Sequence, residues 1–194
     1  MKGLVESIIA KNKARYPSKE ALIADIKREL HRWTVIALVF FGWFYYFGER
    51  FTIGIDAQKL QSIPGTRVVL TDTADLDPDP GEIFAFRATF LEPLEEGQLV
   101  MKYVAAVPGD RVQIQEDGTI LVNDQEVTFD EDLGPVNGLD LAGRFGKKPV
   151  DYAHDFVVPP RRLFMLGTSK ASYDSRYFGP IPTTFLVGRV HQIW

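Results

Sequence analysis

Two hydrophobic rhythms divide the chain near residue 49. Before it, "SKEALIADIKRELHRW" (18–33) sets Leu22, Ile23, Ile26, Leu30 and Trp33 three and four apart, the spacing of one helical face. Ser18 stands where an N-cap belongs. "WTVIALVFFGWFYYFG" (33–48) continues without a single charge. From residue 50 the rhythm becomes that of strands. "TRVVLT" (66–71), "EIFAFRATF" (82–90), "QLVMKYVAAV" (98–107), "RVQIQ" (111–115), "TILVN" (119–123) and "QEV" (125–127) are short apolar or alternating runs. Turn signals separate them: Asp77-Pro78-Asp79-Pro80-Gly81, Pro108-Gly109-Asp110, Asp117-Gly118 and Asn123-Asp124. "HDFVVP", "RRLFMLG" and "TTFLVGRVHQIW" resume the strand pattern after 132–149, a stretch without period that reads as a surface excursion. No long amphipathic helix is expected after residue 50. The pattern predicts an all-β body of folded antiparallel sheets, barrel-like in outline, behind one N-terminal helix.

Charge sharpens this division. The 194 residues carry a net charge of −4, but residues 1–32 are net +4 and the remainder net −8. A basic tail on an acidic body is the wrong way round for a nucleic-acid binder. It suits a chain sorted across a membrane. Sixteen residues of helix span about 24 Å, a little short of a ~30 Å hydrocarbon core, and the helical pattern before Trp33 can supply the rest. Trp33, Trp43, Tyr45 and Tyr46 lie toward the ends of the run, where interfacial aromatics belong. No small-x-small cleavage site follows it, which argues against a removed signal peptide. The expectation is a cytoplasmic segment 1–32, a single-pass anchor 33–48 in the inner membrane, and a periplasmic domain 49–194, oriented by the positive-inside rule.

Composition removes several chemistries. The chain has no cysteine, hence no thiol nucleophile and no disulfide. His31, His154 and His191 are scattered, and no ligand cluster or Gly-rich phosphate loop is present, so neither metal nor cofactor is expected. One charge then stands out. Lys102 interrupts "LVMKYVAAVPGD" (99–110), which reads as a buried strand closed by a turn. Lys102 either faces solvent on an edge strand and discourages edge pairing, or is buried, with its pKa depressed so that it serves as a neutral general base. In the second case it needs a hydroxyl nucleophile. Ser62, in "QSIPGT" (61–66), is one candidate, although alone it reads as a loop serine. "LGTSKASYDSRYFGPIP" (166–182) offers a polar shell in which Asp174 and Arg176 can pair.

These stretches, in this order, resemble the type I signal peptidases of the Ser–Lys (S26) class. "SIP" resembles the nucleophile box and "GEIFAFR" (81–87) the strand that follows it. "KYVAAVPGD" resembles the lysine box, and "SYDSRYFGPIP" the Ser-x-Asp-Ser-Arg-Tyr box. The short Ser-x-Pro, the lead-in "FTIGIDAQKLQSIPG", the single anchor and the compact body are most similar to the conjugative-transfer (TraF-like) branch. The resemblance implies a membrane-anchored serine endopeptidase with a Ser62–Lys102 dyad. Ser172 would orient the lysine, with Asp174, Arg176, Gly109 and Asp110 as structural support. It implies pilins or other exported precursors with small residues at the cleavage site as substrates, membrane lipid as surroundings, and no cofactor. Some members join the new pilin terminus to the other end. A housekeeping leader peptidase and a catalytically dispensable, membrane-tethered pilus assembly factor are the alternatives. One departure concerns Leu60, which stands where housekeeping members carry an oxyanion-hole serine. Ser62 falls 14 residues beyond Gly48, which would set it close to the outer membrane–water boundary. Phe84, Phe86 and Leu91 are read as either lipid-dipping or core.

Overall fold

The computed structural model describes residues 15, 16, 18–55 and 62–193. They fall into two compact units, one reaching to Glu49 and the other starting at Arg50. The first is dominated by one helix, α1 (Lys19–Arg50). Its start is fixed as the sequence suggests: the Ser18 hydroxyl accepts from the Ala21 N–H at 3.1 Å. None of its residues is buried. Among the described residues, no helix is long and apolar enough to cross a membrane. The physical reason lies in the composition of 33–48: its Trp and Tyr residues are amphipathic, and Arg32 and Glu49 bound it closely.

The second unit is built from strands β1 (Phe51–Ile55), β2 (Val68–Asp72), β3 (Ile83–Arg87), β4 (Leu99–Ala106), β5 (Arg111–Ile114) and β6 (Ile120–Val122). They are followed by β7 (Gln125–Glu126), β8 (His154–Val157), β9 (Arg162–Leu166), β10 (Ile181–Pro182) and β11 (Leu186–Gln192). A four-residue helix, α2 (Ser175–Phe178), separates β9 from β10. Seven strands form one sheet in the order β1-β2-β11-β3-β4-β9-β10, and four form a second in the order β7-β6-β5-β8. Every pairing is antiparallel. The mostly-β body expected from the strand rhythm is therefore present.

The apolar runs are long because the central strands bury both faces. On β3, Phe84 and Phe86 join one cluster with Val104, Leu163, Met165 and Ile181. Their neighbours Ile83 and Ala85 join another with Ile63, Val69 and Val190. Phe84 and Phe86 are thus fully buried core and not available to lipid, and Leu91 packs half-buried against the same cluster. A register shift between Val104 and Ala106 in the β4–β9 pairing redirects the end of β4. Ala105 and Ala106 turn into a third core with Val112, Ile114 and Ile120 of the smaller sheet. The excursion 132–149 corrects the sequence reading. Val136, Leu139, Leu141 and Ala142 are buried, and Val136, Leu139 and Ala142 pack into that third core.

Candidate active site

Lys102 lies on β4, in register with Phe84 of β3. It is 3% exposed, which removes the edge-strand reading. Its Nζ donates to the Ser172 hydroxyl at 2.9 Å. A buried ammonium is costly, so the surroundings of that side chain decide what it can do.

Ser172 belongs to the loop between β9 and α2, and this loop is held from within. The Asp174 carboxylate caps α2 by accepting from the Arg176 N–H. It takes the Arg176 guanidinium at 2.8 and 2.6 Å, and accepts from the Gly167 N–H at 2.9 Å. Both side chains are wholly buried. Burial opposes ionisation of Asp174, but the Arg176 charge and hydrogen bonds outweigh it and hold the carboxyl below its usual range. Arg176 meets the same opposition, and Asp174 keeps its pKa above normal. The rest of the guanidinium donates to the carbonyls of Asn137, Gly138, Gly167 and Ser169. Arg176 thereby ties both ends of the loop to the 137–138 segment. The Ser175 hydroxyl accepts from the Met165 N–H. Asp174 and Arg176 are a pair, as expected, and the pair shapes the loop that carries Ser172.

Ser62 comes to the same place from the other side of the chain. Its carbonyl accepts from the Thr168 N–H at 3.0 Å, just after Gly167. A Cβ on Gly167 would lie 2.3 Å from the Ser172 Oγ and 2.9 Å from the Ser62 carbonyl oxygen. Gly167 is therefore the point at which the Ser62 segment and the lysine-holding serine converge, and only a residue without a side chain fits. Ser62 and Lys102 line one cavity of about 590 Å³, walled by Ile53, Ile55, Leu94, Leu99 and Tyr173 among others. Leu60 lies outside the described residues.

Gly109 and Asp110 act at a different place. Gly109 has φ +97°, and Asp110 accepts from the Val107 N–H and from Asn123. Together they close the β4–β5 turn, fixing the strand that carries Lys102 at its end. Gly167 escaped the sequence reading because "LGTS" looks like any strand-ending turn, and Thr168 reads there only as one member of the polar stretch. Tyr173 escaped because aromatic residues are common in cores. Among the described residues, no group of three or more His, Cys, Asp or Glu side chains is placed to hold a metal ion.

Residues 27–194 match the family described as signal peptidase, peptidase S26. The chain belongs to that family. Within it, the chain is similar to the conjugal transfer protein TraF of Agrobacterium fabrum, 35% identical over 95 residues, 49% of this chain and 48% of the relative. A probable conjugal transfer protein TraF of Sinorhizobium fredii is 33% identical over 95 residues, 48% and 45% of the two chains. The similarity spans about half the length of these relatives. The crystal structure of a signal peptidase I from Enterococcus faecalis is 27% identical, with a TM-score of 0.39, over 58% of this chain and 96% of that one.

Proposed function

We propose that this S26 family member is a serine endopeptidase that works through a Ser62–Lys102 dyad. The observation that carries the reading is a buried lysine, held by Ser172, on the same cavity as Ser62. Lys102, as the neutral amine, takes the proton of the Ser62 hydroxyl as Oγ attacks the carbonyl before the scissile bond. The Ser62 N–H stabilises the oxyanion, an effect that for one such donor is typically worth ~3 kcal/mol. The Lys102 ammonium returns its proton to the departing amine, leaving the acyl-Ser62 ester. Lys102 then takes a proton from water as its oxygen attacks the ester carbonyl, and passes that proton to the Ser62 Oγ as the ester bond breaks. If the amine at the other end of the same substrate replaces water, the product is cyclic.

The substrates in this reading are exported precursors with small residues before the cut, pilins or other components of conjugative transfer; the names of the conjugal transfer relatives support the link to transfer. Helix α1 holds the chain at the inner membrane, with the catalytic body in the periplasm. The charge-free run 33–48, none of whose residues is buried, and the basic residues before it support that placement. The test is the intact mass of a conjugative pilin precursor in membranes with the wild-type chain or Ser62→Ala. The reading expects a shortened product with wild type only. A product lighter by one further water identifies cyclisation. Equal processing by Ser62→Ala would favour the assembly-factor alternative, because Ser62 would then be dispensable.

A further inference from the structure

The cavity has one wall to which the mechanism gives no task. Tyr173 stands between Ser172, which holds Lys102, and Asp174, which holds Arg176. Its own ring does neither, and lines the cavity beside Ser62, Lys102 and Ala171. The Tyr173 hydroxyl donates to the Glu92 carbonyl in the β3–β4 connection. That connection supplies Leu94 and Gln98 to the same cavity. The ring is also packed from behind. Its centroid lies 5.2 Å from that of Phe145, 5.8 Å from Tyr177 and 5.3 Å from Phe178. With its backbone fixed on both sides by buried polar contacts, Tyr173 cannot swing aside to admit a larger group.

We propose that Tyr173 is a specificity-determining residue, a rigid aromatic wall that limits substrate side chains beside Ser62 to small ones. The inference rests on the peptidase reading. Forcing extra methylene groups against a packed wall is penalised, and one methylene in an apolar pocket discriminates by roughly tenfold or more. The Glu92 contact ties the ring to the connection that carries Leu94, so the hydroxyl helps to hold two parts of the cavity lining together.

The experiment uses the full chain in detergent micelles and internally quenched peptides. One peptide has Ala at all three positions before the scissile bond; three others carry Leu at one of them. Wild type is expected to prefer the all-Ala peptide by roughly tenfold or more in kcat/KM. Tyr173→Ala should bring at least one Leu peptide close to parity, chiefly through KM. Tyr173→Phe retains the ring and should retain most of the preference. It should also speed amide exchange across 90–97, since the tie to Glu92 is lost. Should Tyr173→Ala fail to fold, Tyr173→Leu reads the same ratio. An unchanged Ala-to-Leu ratio in the folded small-residue variant overturns the inference while the peptidase reading stands, as does a wild type without size preference. If wild type is as inert as Ser62→Ala on the all-Ala peptide, the peptidase reading fails and the Tyr173 assignment falls with it.

Discussion

A hydroxyl acceptor for Lys102 and a glycine beside it are the smallest parts of the site, and each makes a separate prediction. Ser172→Ala removes the hydroxyl that accepts from Nζ without opening the core. It should lower kcat by about a hundredfold, in the range of misplaced general bases, with KM little changed, as steady-state rates on a precursor peptide would show. Gly167→Ala removes no functional group at all. Its Cβ would nonetheless meet the Ser172 Oγ and the Ser62 carbonyl, so activity should fall as far. Stability should drop by ~1–3 kcal/mol, the usual cost of overpacking, read from the denaturant midpoint. Asp174→Asn strands the buried Arg176 charge and should cost ~3–5 kcal/mol by the same measurement. The Lys102–Ser172 and Asp174–Arg176 contacts and the shared cavity of Ser62 and Lys102 were legible because the spacing and order of these residues are distinctive. Gly167 was not, since its role comes from two segments crossing over it.

At the level of elements, acid should loosen the body. Asp174 is held below the normal carboxyl range by Arg176 against its burial. Hydrogen bonds from Arg50 do the same for Asp72 at the end of β2, and from Arg189 of β11 for Asp75. Each folded-state pKa is depressed, so the stabilisation is present above the unfolded carboxyl value of ~3.9 and is lost as pH falls through the folded values. Denaturant midpoints should therefore be insensitive to these groups above about pH 5 and decline below about pH 4. A midpoint unchanged down to pH 3 would contradict the assignment of these pairs. The strands β2 to β9 and β11 were readable from apolar or alternating runs bounded by turns. β1 escaped because "FTIGI" is short and mostly exposed, and β10 because it is two residues long and includes a proline. The 132–149 excursion misled for a different reason: its buried residues follow the shape of the core beneath them and keep neither a helical nor a strand period.

For the whole molecule, sequence distance hides the site. The Lys102–Ser172 contact joins residues 70 apart, and the Thr168–Ser62 contact joins residues 106 apart. No local pattern predicts such meetings; the motif resemblance anticipates the first of them and not the second. The helix is the opposite case, readable in full as a helix, while its relation to a bilayer depends on aromatic residues that hydropathy weighs poorly. If α1 is an anchor, the full chain should sediment with membranes through high-salt and carbonate washes and be released by detergent. Recovery in the soluble fraction would exclude anchoring. The most direct test of the dyad itself is the rate of precursor cleavage by wild type, Ser62→Ala, Lys102→Ala and the double variant. Residues that act as one unit lose activity together and not additively, so the account predicts that all three variants fall to the same residual rate. A single variant that keeps a rate within tenfold of wild type would contradict it.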